Sequence, residues 1–283
     1  MQGSVKLVAY LTILISPALC LPIVDAAANE SQLKFAKTWA YQLQGDVGHI
    51  VKSSADLVVI DPDHAGAADR FRTKPDGGRR TVLAYLSIGE AERDRSYWKH
   101  CCVSGSPAWL TGRTQGWAGN YVVKFWEPGW KAIVAARVKS ILAHGYDGLY
   151  LDRIDTYENV KAPGGSRAAM IAFVCEIAAK ARAAKSDATI VAQNAEELLT
   201  SDSYVAAIDG VAKEDLFRGV NHNGARNPRD MVSSSVDLLK RAKSKGKSVF
   251  VVEYVSAGTA RSLAAEIRAQ GFVPTFAARN LSN

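Results

Sequence analysis

The chain has 283 residues, 48% of them hydrophobic and 22% charged, a composition that excludes a disordered or fibrous protein. That length is close to the roughly 250 residues usual for a (β/α)8 barrel. The formal net charge of +7 is scattered along the chain, with no aromatic-basic repeat, so no nucleic-acid partner is expected.

Lys6 is followed by an apolar run from Leu7 to Val24, and Ala26, Ala27 and Ala28 then precede a polar stretch. This reads as a secretory signal peptide cleaved near Ala28, leaving residues 29–283 as one domain in an extracellular or periplasmic location. The alternative is a retained anchor, the one route to a membrane partner, since the run is marginally long enough to span. Cys20 follows Leu19, where a bacterial lipoprotein needs a small residue, so lipid attachment is disfavoured. The remaining Cys101, Cys102 and Cys175 lack zinc-site spacing. Vicinal cysteines do not pair easily, so at most one bridge to Cys175 and a spare thiol are expected.

Short runs rich in β-branched and aromatic residues then alternate with longer helical patterns. Strands are predicted over Thr38 to Leu43, Asp56 to Asp61, Thr81 to Ile88, Gly148 to Asp152, Thr189 to Gln193, Gly210 to Lys213, Ser248 to Tyr254 and Val273 to Ala277. Helices are predicted over Gly129 to His144, Ala168 to Ala184, Arg229 to Lys245 and Ala260 to Gln270, with Pro228 and Gly271 as start and stop signals. The segment Ser96 to Pro128 reads as an irregular, elaborated loop. Runs such as LVVI and VFVV are apolar throughout, as parallel strands covered on both faces require. An open doubly wound sheet shares that feature, but no GxGxxG follows the first strand and eight units can be counted. The fold class expected is therefore α/β, a single (β/α)8 barrel.

Nearly every predicted strand ends in polar groups, which a barrel gathers at its C-terminal rim. Asp61 and Asp63 follow strand two, Glu90 strand three, and Asp152 and Asp155 strand four; Asn194, Glu196 and Glu197 follow strand five, Glu214 and Asp215 strand six, and Glu253 lies on strand seven itself. Only five histidines occur, at positions 49, 64, 100, 144 and 222, with no HxH or HxxxH pair, so no metal site or cofactor is expected. Glycoside hydrolysis needs one carboxyl to protonate the leaving oxygen and a second to attack or to activate water. Asp152 directly terminates an apolar strand, a costly place for a charge without function. Trp39, Tyr41, Tyr85, Trp117, Tyr121, Trp126, Tyr157 and Tyr254 fall near the rim as candidate sugar platforms. Whether Glu253 faces in or out depends on register and stays open.

The strings DLVVIDPDH, VLAYLSIGEAE, GNYVVKFWEPGW, GYDGLYLDRIDTYE, VAQNAEELL, DGVAKEDLF and GFVPTFAARNL together resemble the glycoside hydrolase family 114 group, from about Trp39 to Asn280. The resemblance implies a (β/α)8 barrel that cleaves α-1,4-linked galactosamine polysaccharide, with an aspartate after strand four and a glutamate after strand six as the catalytic pair. These match Asp152 and Glu214. The expected mechanism is retaining, with Asp152 as nucleophile and Glu214 as general acid/base, or the reverse. Substrate binding is expected from Trp39, Asp61, Asp63, Tyr85, Glu90, Trp126, Asp155, Tyr157, Asn194, Glu197 and Glu253. Lys213 departs from the group's pattern, and a cation beside Glu214 is expected to favour an acetylated, neutral or anionic glycan. A monomer acting on polysaccharide is expected. The rivals are a binding protein on a retired hydrolase barrel, an oxygen-ligand metal hydrolase, and an esterase, for which no GxSxG elbow is present.

Overall fold

The computed structural model describes residues 32–282 apart from 103–105, 115 and 222–223. The expected leader, Cys20 and His222 lie outside the described residues. The strands are β1 (Trp39–Gln42), β2 (Leu57–Ile60), β3 (Thr81–Ser87), β4 (Glu90–Glu92), β5 (Leu110–Arg113), β6 (Asn120–Val123), β7 (Gly148–Asp152), β8 (Thr189–Gln193), β9 (Gly210–Glu214), β10 (Ser248–Glu253) and β11 (Val273–Phe276). The helices are α1 (Gly48–Lys52), α2 (Pro62–Ala65), α3 (Trp98–Cys101), α4 (Pro128–Ala143), α5 (Ser166–Ala184), α6 (Asp202–Ala207), α7 (Arg229–Ser244) and α8 (Ala257–Ala269).

Eight strands pair in parallel in the order β1-β2-β3-β7-β8-β9-β10-β11, with helices between them, which is the (β/α)8 barrel. Each strand alternates its side chains between a barrel interior and an outer layer beneath the helices. In β2, Leu57 and Val59 join the interior with Tyr85, Tyr150, Val191 and Phe250, while Val58 and Ile60 join the outer core. Both faces are therefore dry, and that is why LVVI reads as an unbroken apolar run. Each such side chain contributes roughly 1.5–3 kcal/mol on burial.

Ladder hydrogen bonding stops between β11 and β1, where β11 carries Pro274, which has no N–H to give. The seam is bridged instead by Trp39 Nε1 donating to the Val273 carbonyl at 3.0 Å and Thr275 Oγ1 donating to the Trp39 carbonyl at 2.8 Å. At the opposite end of β1, the Leu43 and Gln44 amides donate to the Leu281 carbonyl at 3.0 and 2.9 Å.

An aspartate stands immediately ahead of β2, β7 and β9, and its carboxylate accepts an amide at the start of the preceding strand. Asp56 accepts from Thr38 N at 3.2 Å, Asp147 from Val82 N at 2.9 Å and Asp209 from Ile190 N at 2.7 Å. Basic partners neutralise each one: Lys74 at 3.2 Å, Arg72 and Arg79 both at 3.0 Å, and Arg182 at 3.0 Å. The N-terminal face of the barrel is thus laced by charge-assisted bonds, as befits the face that serves stability.

The segment from Ser96 to Pro128 differs from the irregular loop expected. It carries α3, β5 and β6, and β6 pairs antiparallel with both β4 and β5 in a separate three-stranded sheet. Cys101 and Cys102 are bridged to one another, contrary to the expected link with Cys175. Cys175 is instead buried on α5, where its thiol donates to the Ser203 carbonyl at 3.6 Å. Among the described residues no helix is long and apolar enough to cross a membrane.

Candidate active site

Strand alternation fixes which acids enter the barrel. Tyr150 and Ala212 face the interior, so Asp152 and Glu214, two residues further along β7 and β9, face it too, at the C-terminal ends of their strands. Tyr85 donates from its hydroxyl to Asp152 Oδ2 at 2.9 Å, and the Arg153 amide donates to Oδ1 at 2.6 Å. Glu214 Oε1 accepts from the Tyr254 hydroxyl, and Oε2 accepts from Asn194 Nδ2 at 3.2 Å. Asn194 returns the contact, its Oδ1 accepting from the Glu214 amide at 3.1 Å. Burial, then the Glu214 and Asp155 carboxylates, push Asp152 up to about 8, against the lowering effect of Arg153. Asp152 therefore keeps its proton near neutral pH.

Beneath the carboxylates, Tyr41 donates to Gln193 Oε1 at 3.2 Å and its ring lies 5.1 Å from that of Tyr150. The Tyr150 hydroxyl is buried without a hydrogen-bond partner. Its ionisation is disfavoured first by burial and then by Glu214 and Asp152, so it stays a neutral phenol under the acid pair.

Three successive strands leave the barrel through non-glycine residues in the left-handed region: Arg153 (φ 59°) after β7, Asn194 (φ 56°) after β8 and Asp215 (φ 49°) after β9. Such residues cost of order 1–3 kcal/mol each and cluster where function requires a fixed geometry. The turn after β7 packs so closely on Gly89 that a Cβ there would lie 2.1 Å from the Arg153 carbonyl oxygen. Arg153 itself reaches Glu90, fully buried, at 2.6 Å, and Asp155 at 3.9 Å.

Arg95 organises the rim beside Tyr85. Its guanidinium pairs with Glu92 at 2.8 Å, Asp61 at 2.7 Å and Asp63 at 3.0 Å, and lies 6.0 Å from the centre of the Tyr85 ring. Asp61 also caps α2 by accepting from the Asp63 amide at 2.9 Å. Arg137 binds Asp63 through both nitrogens at 2.7 and 2.8 Å. Partial burial opposes Asp63 ionisation, but Arg137 and Arg95 outweigh it and hold the carboxyl below its ordinary range. Among the described residues no group of three or more His, Cys, Asp or Glu side chains is placed to hold a metal ion.

The sequence model of glycoside-hydrolase family GH114 matches residues 23–283. The chain belongs to family GH114. An uncharacterized Deinococcus radiodurans protein is 35% identical over 276 residues, spanning 94% of this chain and 87% of its own. An uncharacterized Methanocaldococcus jannaschii protein is 33% identical over 252 residues, spanning 84% and 71%. The glycoside hydrolase domain of PelA from Pseudomonas aeruginosa has a similar fold, with a TM-score of 0.71 at 22% identity, covering 88% of this chain and 97% of that one. Aspergillus fumigatus Ega3, solved in complex with galactosamine, gives a TM-score of 0.68 at 19% identity, covering 92% and 97%.

Within this GH114 barrel, Asp152, Glu214, Asn194 and Tyr85 converge, while the other residues expected to bind substrate scatter. Asp61 and Asp63 are taken up by Arg95 and Arg137, and Glu90 by Arg153 and Asn120. Trp39 is a correction: it is the first residue of β1 and fills the barrel interior against Phe250, 5.5 Å between ring centres, away from the rim. Tyr157 packs in the outer core, and Trp126 lies edge-on to Phe125 at 5.1 Å in the same layer. Glu253 faces outward beside Val251 and accepts from the Phe217 amide at 2.7 Å, leaving Oε2 without a partner. Burial, with Asp215 adding to it, pushes Glu253 up to about 7. Asp155 is partly exposed and Glu197 is exposed on the turn after β8.

Lys213 is the second correction. It shares the outward face of β9 with Val211, and its ammonium meets Glu196 at 3.1 Å. It therefore sets no charge beside Glu214, and the expected bias against a cationic glycan loses its basis. The sequence reading missed Tyr150 and Gln193, and took Tyr41 and Tyr254 for stacking platforms where their hydroxyls donate to Gln193 and Glu214. The signal available was parity: Tyr150 lies two residues before Asp152, so it faces the same way.

Proposed function

We propose that this protein hydrolyses the glycosidic bonds of a galactosamine-type polysaccharide through Asp152 and Glu214, outside the cytoplasm. The observation that carries this reading is the pair of half-buried acids at the ends of β7 and β9, each held by a tyrosine hydroxyl, with Asp152 pushed up to about 8 by burial and by the Glu214 carboxylate. In the reacting state Asp152 is the carboxylate, and Glu214 gives a proton to the leaving oxygen as the bond to the anomeric carbon breaks. Asp152 attacks the same carbon to form a glycosyl ester, and water, deprotonated by Glu214, then releases the sugar.

A cationic sugar assists this assignment. In the resting protein Asp152 is held well above the usual carboxylate range, and an ammonium within about 4–6 Å lowers a carboxyl by roughly 1–3 units. A galactosamine unit placed beside Asp152 therefore favours its carboxylate, the form that attacks. The removal of Lys213 to the outer face, and the partly exposed Asp155 with exposed Glu197 at the rim, support a cationic chain. The apolar run from Leu7 to Val24 supports export.

The test is a screen of purified protein against defined glycans, including galactosamine polymers in acetylated and deacetylated forms, with products read by mass spectrometry. Cleavage of the deacetylated polymer is expected. Cleavage confined to the acetylated form overturns the cationic reading, and binding without cleavage of any glycan overturns the hydrolytic one.

A further inference from the structure

We propose that Arg279, on the segment following β11, is a positioning residue for the carboxylate chemistry, bracing the ring of Tyr254 so that its hydroxyl holds Glu214. The proposal rests on the hydrolase reading for its rates but not for its structural test. The Arg279 guanidinium lies 4.6 Å from the centre of the Tyr254 ring, and the Tyr254 hydroxyl donates to Glu214 Oε1. Both Arg279 terminal nitrogens donate to Asp215, Nη1 to Oδ2 and Nη2 to Oδ1, each at 2.9 Å. A planar guanidinium that forks onto a carboxylate and covers a ring at once has its orientation fixed twice.

The surroundings are built around that fork. Asp215 follows Glu214 directly, and its left-handed backbone (φ 49°) takes it out of the alternation of β9. Gly219 (φ 107°) packs over the pair so tightly that a Cβ would meet Asp215 Oδ1 at 2.3 Å and Arg279 Nη2 at 2.9 Å. The segment carrying Arg279 is pinned on either side. The Ala277 amide donates to the Glu253 carbonyl at 3.3 Å, and the buried Leu281 accepts from Leu43 and Gln44 with its carbonyl. The segment that bridges the open seam of the barrel thus also fixes Glu214.

An ion pair with one partner this exposed, 41% for the Arg279 side chain against 15% for Asp215, adds little to stability, so its value lies in orientation. Arg95 stands against Tyr85 and Asp152 in a comparable way, but it is 6% exposed among Asp61, Asp63 and Glu92, so its loss disturbs the fold first. Arg279 is the place where positioning can be separated from stability.

The experiment compares wild type with Arg279→Lys, Arg279→Met and the double variant Asp215→Asn/Arg279→Met, which removes the fork without changing net local charge. Hydrolysis of galactosamine oligomers is followed from about pH 5 to 9, and the Asp152 carboxyl is titrated by carbon NMR without substrate. Arg279→Met and the double variant are expected to lose about 10- to 100-fold in kcat with KM within about twofold. The Lys variant, with charge but no planar fork, falls between. In the Met and double variants the Asp152 titration departs from that of wild type, because the Glu214 carboxylate whose charge acts on Asp152 is no longer held in one place. An Asp152 titration equal to wild type in all three overturns the proposal whatever the rates do, as does a double variant with wild-type kcat. Should Arg279→Met fail to fold, Arg279→Lys decides on the same readouts. Should wild type cleave no galactosamine oligomer, the hydrolase reading fails while the titration still judges Arg279.

Discussion

At the scale of single residues, the energetics of the site are those of acids held against their preference. Asp152 is raised from an ordinary value of 3.8 to about 8, so the folded state binds a proton there that the unfolded chain has released. Stability from this group is complete below about pH 4 and is lost as pH rises through about 8. Asp152→Asn is therefore expected to raise the melting temperature at pH 8 and above, with little gain near pH 4, while abolishing turnover; differential scanning calorimetry at the two pH values checks this. Glu253 follows the same sign, from 4.5 to about 7, and its unpartnered Oε2 gives Glu253→Gln a stabilising effect above pH 7. Asp152 was legible in sequence because it ends an apolar strand at a position few charges tolerate. Glu253 was not, because a shift of one residue in parity moves a side chain from the barrel interior to the outer layer; Lys213 was legible after all, since with Glu214 facing in, alternation sends its neighbour out.

At the scale of elements, the strands were legible and the decoration on them was not. All eight barrel strands overlap the runs predicted for them, and β7 and β8 match their predicted limits; the signature is plainest in β2 and β10, whose LVVI and VFVV are buried on both faces. The small sheet β4-β6-β5 left no such trace: Leu110–Arg113 contains a glycine and is exposed at all but Leu110, with no alternation to read. The rim network was equally hidden, since Arg95 is lost among scattered charges in sequence yet joins the small sheet at Glu92 to the N-terminus of α2 at Asp61. Removing it strands buried carboxylates. Arg95→Met is expected to cost about 3–5 kcal/mol in urea unfolding, and it should lower kcat in whatever fraction still folds by freeing Tyr85 from its guanidinium.

At the scale of the whole molecule, the two ends of the barrel divide the labour. Aspartates ahead of β2, β7 and β9 bind amides and cations at one end, while Asp152 and Glu214 carry the uncompensated acid at the other. Asp147→Ala, which removes the acceptor of Val82 N, Arg72 and Arg79, is expected to cost about 3 kcal/mol by denaturant titration and to leave turnover per folded molecule unchanged. The claim that the opposite end is the hydrolytic one is tested most directly by the rate at which new reducing ends appear from deacetylated galactosamine oligomers, in wild type, Asp152→Asn and Glu214→Gln. Wild type should cleave, and each variant should lose about 10²- to 10⁴-fold while still binding the oligomer. A variant that cleaves at the wild-type rate would contradict the account.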